Sequence, residues 1–219
     1  RIEEIGARLK ALGLLPVSLS FDYLSISIPG ALLPEVEALP GVVGIVLDAP
    51  VSIRSIPVDQ KLTEFYRLFT SNPITGPLTA FNFSLSADLG RKSVLTSESR
   101  KMVGADVAES EGITGKGVKV GVLDTGTDIL NPQGMYLGGK SALEGQVVQL
   151  DENGHGTHVQ TTISGKPFQS IWGLLKGVAV EAEVAAFKVL GYGIGAGSTS
   201  SVLRGMMDAF EWGADIISM

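Results

Sequence analysis

The chain contains no cysteine, only two histidines, and no apolar run near the roughly 20 residues that a membrane-crossing helix requires. Without cysteine there is no disulfide framework, no thiolate-bound zinc and no cysteine nucleophile. Basic residues are outnumbered by acidic ones, for a net charge of −6. No run of Lys and Arg offers phosphates a footprint, so a nucleic-acid partner is not expected. What is present is 44% hydrophobic residues against 18% charged ones, enough for a packed core and too apolar for disorder throughout. A chain of 219 residues accommodates one large domain or two small ones.

The two histidines stand together in Asn153-Gly154-His155-Gly156-Thr157-His158-Val159. Upstream, Val120-Gly121-Val122-Leu123 is an apolar strand ending in Asp124, and Thr125-Gly126 turns the chain at once. In an open α/β sheet the carboxyl ends of the strands face the functional crevice, so the Asp124 carboxylate is expected there. Asn153-Gly154 is a tight-turn pair, and Gly156 lets the backbone pass close to its neighbours. Imidazole is the side chain whose ordinary pKa suits proton transfer near neutrality. Read singly, Asp124 fits a turn-capping residue and His155 a hydrogen-bonded core histidine. Read as a pair, they form an acid and a base of a charge-relay site. A metal set of His155, His158 and Asp151 is the competing reading. The metalloprotease helix, however, places its histidines at i and i+4 around a Glu, and here they stand at i and i+3 around Gly and Thr.

Three stretches are distinguishable. In residues 1–57, Ile2, Ile5, Leu9 and Leu12 share one helical face and Gly13 ends it. Leu24, Ile26 and Ile28 alternate with polar residues as in a half-buried strand. Leu33, Val36 and Leu39 mark a second helix between Pro34 and Pro40-Gly41, and residues 42–47 read as a buried strand. Residues 58–98 are turn-rich at 71–77 and read equally as a structured surface extension or as a connecting segment, where processing would occur most easily in a precursor. In residues 99–219, 100–111 reads as a helix stopped by Gly112. Residues 118–124 and 184–190 read as buried parallel strands, a helix starts at His155, and 214–219 is a last strand. Leu203, Met206, Met207 and Phe210 predict the sheet-facing side of another helix, with a cap from the Ser198–Ser201 cluster. Alternating strands and helices indicate a doubly wound parallel α/β sheet.

The two motifs, in the order Asp then His, resemble the subtilisin-like serine proteases, or subtilases. The resemblance is close from residue 99 onward and loose over residues 1–57. Further matches are Gly177-Val178-Ala179-Val180-Glu181-Ala182, Ala186-Phe187-Lys188-Val189-Leu190 and Asp215-Ile216-Ile217-Ser218-Met219. The resemblance implies a subtilisin-like parallel sheet with helices on both faces, incomplete here, preceded by a small α+β, ferredoxin-like propeptide domain. It implies that Asp124 and His155 serve a serine nucleophile. The family's Gly-Thr-Ser-Met-Ala-Pro-like segment occurs nowhere in these residues, so the chain reads as the N-terminal portion of a longer precursor, inactive by itself. It further implies that Gly191, Gly193, Gly195 and Gly197 line a cleft for an extended peptide, and that Asn153, Gly154, Gly156 and His158 support the site. Protein or peptide substrates, a propeptide bound to its own catalytic domain, and a secreted or extracytoplasmic location follow from the same resemblance.

The sequence departs from the family pattern in places. Val180 stands where Pro is usual, and Gln160-Thr161 replaces Ala-Gly, so packing there must differ. Gln133 replaces an Asp that ligates calcium, and 166–175 does not resemble the usual calcium loop. Calcium prefers carboxylate oxygens, so a structural ion is not supported at Gln133, and the chemistry itself needs no cofactor or metal. The alternative to a protease is a non-catalytic pseudoprotease or inhibitor-like binding module.

Overall fold

The computed structural model describes residues 2–18, 23–52, 96–134, 136–170, 173–191 and 193–219. Residues 1–53 and 95–219 belong to one compact unit. The connecting segment expected at 58–98 lies outside the described residues up to residue 95.

Helix α1 (Ile2–Ala11) forms where the apolar face predicts it, and Gly13 ends it with a left-handed φ of 77°. Strand β1 (Val17–Ser18) pairs antiparallel with β2 (Leu24–Ser25). The strand expected through Ile28 is therefore only two residues long, although Leu24, Ile26 and Ile28 all pack on Leu9, Leu14 and Val36. A 3-10 turn at Gly30–Leu32 leads into α2 (Leu33–Glu37), with Pro34 in the first turn, where its missing N–H costs nothing.

Residues 42–47 are not the buried strand that their apolar run predicts. Val43, Val46 and Leu47 are 95%, 86% and 90% exposed. A buried strand needs a ladder partner, and among the described residues nothing pairs with this run. The strand comes later, at β3 (Pro50–Ser52).

The helix expected over 100–111 is two helices, α3 (Thr96–Met102) and α4 (Ala105–Ser110), broken where Gly104 takes a φ of 72°. Buried Arg100 ties both to residues 177–178. It donates to the carbonyls of Gly177, Val178 and Ala105 and pairs with Glu109 at 2.6 Å.

The main sheet consists of β4 (Lys119–Asp124), β5 (Gly139–Ser141), β8 (Glu183–Lys188) and β10 (Ile216–Ser218). Its order is β10-β4-β8-β5 and every pairing is parallel. Between these strands lie α5 (His155–Ser164), the antiparallel hairpin β6 (Phe168–Ser170) and β7 (Gly173–Leu175), then β9 (Ala196–Ser198) and α6 (Thr199–Trp212). Alternation along the central strands divides the core. Val120, Val122 and Val184 pack with Val159 and Ile163 of α5 on one face. Leu123, Ala185 and Phe187 pack with Val202, Met206 and Ala209 of α6 on the other. A parallel sheet with helices on both faces is the doubly wound α/β arrangement expected from the sequence.

The face of α6 matches expectation at Met206, which packs on the core, and differs at Phe210. Phe210 is 69% exposed, and the residues turned fully inward are Ser201, Gly205 and Ala209. Small residues let the helix sit close to the strands: a Cβ on Gly205 would lie 2.3 Å from Val189, and one on Gly121 would lie 2.9 Å from Ala209. The Ser198–Ser201 cluster does cap this helix, as a reciprocal capping box. Among the described residues no helix is long and apolar enough to cross a membrane.

Candidate active site

Asp124 ends β4, is 6% exposed, and accepts the Thr125 N–H at 2.7 Å. His155 opens α5 with Nδ1 2.8 Å from Asp124 Oδ2 and 2.9 Å from Oδ1. A carboxylate there accepts from Nδ1–H, which leaves Nε2 as the free, proton-accepting nitrogen. The imidazole remains 45% exposed, open to a reacting group.

Two glycines make this approach possible. Gly154, with φ 87°, precedes α5 in a left-handed conformation that residues with a Cβ adopt only at a cost. At Gly156 a Cβ would fall 2.4 Å from the Gly126 carbonyl oxygen, so α5 starts against the Asp124 turn only because this position is glycine. Asn153 Oδ1 accepts the His155 N–H at 3.3 Å, and its Nδ2 donates to the Gly193 carbonyl at 2.9 Å, joining the His turn to the glycine-rich loop.

Several residues have roles that the sequence reading did not give them. Asp151 accepts from the hydroxyls of Thr125 and Thr157 and from the N–H groups of Gly154 and Thr157, at 2.6–2.8 Å. Burial pushes its pKa up, but the bonds from Thr157, Thr125 and Gly154 outweigh that and hold it below the usual carboxylate range. Both Asp151 oxygens are thus committed to hydrogen bonds with Thr125, Gly154 and Thr157. His158 is exposed on α5, and its carbonyl accepts from Thr161 and Thr162. The Thr125 hydroxyl also accepts the Gly156 N–H at 2.9 Å. Gln160, where the sequence departs from the family pattern, donates to the carbonyls of Gly126 and Gly156 at 2.9 and 3.0 Å. It stitches the Asp turn to the His helix. Gln133 donates from its amide nitrogen to the Lys166 carbonyl at 3.1 Å.

The glycine loop closes on itself. Gly191 and Ala196 exchange backbone bonds, and Gly193 and Gly195 take φ values of 70° and 67°. Gly197 lies in β9, where a Cβ would come 2.2 Å from the Val189 carbonyl oxygen. Strand β9 pairs antiparallel with β3, Val51 opposite Gly197 and Pro50 opposite Ser198. Just before β3, the Ala49 carbonyl accepts the Thr199 N–H, and Asp48 accepts both the N–H and the hydroxyl of Ser200. These bonds from Ser200, with Ser198, more than offset what burial does to Asp48 and keep its pKa below the usual carboxylate range. The carboxylate lies at the N-terminus of α6, where unpaired N–H groups favour negative charge.

The sequence profile of the subtilase family matches residues 115–219. Subtilisin Savinase of Lederbergia lenta is 46% identical over 110 residues, covering 50% of this chain and 38% of that protein. An alkaline protease of Alkalihalobacillus alcalophilus is 46% identical over 110 residues, 50% of this chain and 27% of that protein. The major intracellular serine protease of Bacillus subtilis (strain 168) is 38% identical over 128 residues, 56% of this chain and 39% of that protein. The chain therefore spans well under half the length of the curated relatives it matches.

Proposed function

We propose, from the match of residues 115–219 to the subtilase family, that the whole protein is a serine endopeptidase made as an autoinhibited precursor. The observation that carries the catalytic reading is the 2.8 Å contact between His155 Nδ1 and buried Asp124. Asp124 holds the imidazole in one tautomer and stabilises the imidazolium as it forms. His155 takes the proton of a serine supplied by a part of the protein outside these residues, then returns it to the leaving amine. The oxyanion would be met by backbone and amide donors outside these residues as well. The step needs no cofactor. Substrates are proteins or peptides bound in extended form along Gly195 and Gly197, with Gly191 and Gly193 shaping the loop beneath.

Autoinhibition is supported by the pairing of β3 with β9. Residues 50–52 add a strand to the edge where an extended peptide would lie, the usual way one chain captures another in strand form. Residues 1–57 would then be the propeptide, 58–98 the connection that is processed, and 99–219 the first part of the catalytic domain. A precursor of this type fits a secreted or extracytoplasmic protein, although one matched relative is named as intracellular.

A fluorophosphonate probe tests the reading on the full-length, processed protein. Stoichiometric labelling with loss of peptidase activity, unaffected by chelator, is the expected result. Activity that survives the probe but not the chelator would mean a metal hydrolase. Neither labelling nor activity would favour a non-catalytic binding module.

A further inference from the structure

Lys188 is a charged residue at the end of the buried strand β8, fully buried at 0% exposure. A buried ammonium is tolerated only when its N–H groups find acceptors and its charge a partner. Lys188 Nζ donates to the Thr125 carbonyl at 2.8 Å, to the Leu150 carbonyl at 2.7 Å and to Glu152 Oε2 at 2.5 Å. Its three donors have three acceptors.

Those acceptors stand in informative places. Thr125 follows Asp124 directly. Leu150 and Glu152 flank Asp151, whose carboxylate seats Thr125, Gly154 and Thr157 around His155. Lys188 lies opposite Asp124 in the β4–β8 ladder, and the two N–H groups that follow it, those of Val189 and Leu190, donate to the Asp124 carbonyl at 2.9 and 3.2 Å. One short segment therefore holds the backbone of the acid, and its ammonium grips both the turn after the acid and the loop before the base.

We propose that Lys188, charge-balanced by Glu152, is a positioning residue that fixes the Asp124 turn and the His155 loop relative to one another. The proposal rests on the relay reading above. Lys188 touches neither reacting nitrogen nor substrate. It acts by setting the distance and angle of the Asp124–His155 bond. Replacing the ammonium with a methyl-ended chain of similar length fills the space but leaves the buried Thr125 carbonyl without its donor.

The experiment uses the full-length protein carrying Lys188→Met, Glu152→Ala or Glu152→Gln. Steady-state kinetics on a peptide substrate are paired with proton NMR of the His155 Nδ1–H, identified by its disappearance in His155→Ala. Lys188→Met is expected to lower kcat on the order of 100-fold, since a small misplacement of catalytic groups has that effect. KM should move by less than about threefold, the pattern of an interaction realised in the transition state. Glu152→Ala should lower kcat by roughly 10-fold, and Glu152→Gln, which keeps an acceptor, by under about threefold. The Nδ1–H resonance should shift or broaden in Lys188→Met and Glu152→Ala and stay put in Glu152→Gln.

If kcat and the resonance are unchanged in folded Lys188→Met while only the melting temperature drops, Lys188 is merely structural and the proposal fails. Should Lys188→Met not fold, Glu152→Ala decides on the same criteria, because Glu152 is partly exposed. Full activity in His155→Ala would sink the relay reading instead, and the resonance would still report whether Lys188 sets the Asp124–His155 contact.

Discussion

Around His155, the polar groups of Asp151, Thr125, Gln160 and Lys188 are committed to partners on several different segments. Around residues 42–49 the chain runs with Val43, Val46 and Leu47 nearly bare, and touches the α/β sheet region through Asp48, Ala49 and the three residues of β3. The first region is over-determined: Gly156, Gly126 and Lys188 meet at distances where almost any substitution collides or orphans a bond. The second is a handhold of a few hydrogen bonds. The contrast suits the two jobs proposed for them. A relay must keep its geometry through every turnover, whereas an inhibitory tail must let go once.

The comparison breaks hardest at the relay. Asp124→Asn in the full-length protein should lower kcat on the order of 10⁴-fold, because an amide cannot hold the same tautomer or balance an imidazolium. A loss under tenfold in a steady-state assay would remove Asp124 from the mechanism. Gly156→Ala comes next. Its methyl would meet the Gly126 carbonyl oxygen at 2.4 Å, so α5 must shift and carry His155 with it. About 100-fold in kcat is expected, and a crystal structure of the variant should have a longer Nδ1–Asp124 distance.

The tail should respond more mildly. Asp48→Ala removes a helix-terminus carboxylate, an interaction of about 1 kcal/mol. Unprocessed precursor should then activate several-fold faster, read by release of a fluorogenic peptide over time. An unchanged lag would separate Asp48 from the inhibitory contact. Acid should mimic the substitution. Asp48 titrates below the usual carboxylate range in the folded state, so its contribution is complete above the ordinary carboxylate value and is lost as pH falls through the depressed one.

The last effect concerns Asp151, and it is read in shape as well as size. Its folded pKa is also depressed, so its contribution to stability is present near neutrality and disappears as pH drops through that lowered value. Asp151→Asn should flatten the acid limb of a stability–pH curve measured by urea unfolding. A limb as steep as the parent's would place the acid sensitivity elsewhere.

The sequence made the central strands legible because burial on both faces leaves uninterrupted apolar runs, and it made the Asp124–His155 contact legible because its two motifs have few other reasons to occur together. The face of α6 was read only in part: Met206 does pack on the core, but Phe210 does not, because the close approach to the sheet selects Ser201, Gly205 and Ala209. The exposed run at 42–47 was misjudged because apolar composition does not say whether a ladder partner exists. Lys188 was passed over inside the strand it belongs to. A lone lysine within an apolar run was the available signal, and its meaning depends on where Thr125, Leu150 and Glu152 come to lie in space.

The most direct test of the account is the fate of purified full-length precursor carrying His155→Ala, followed by intact mass over hours beside the parent protein. The account predicts that the parent shortens to a processed form while the variant keeps its full mass. Processing of the purified variant at the parental rate would contradict it.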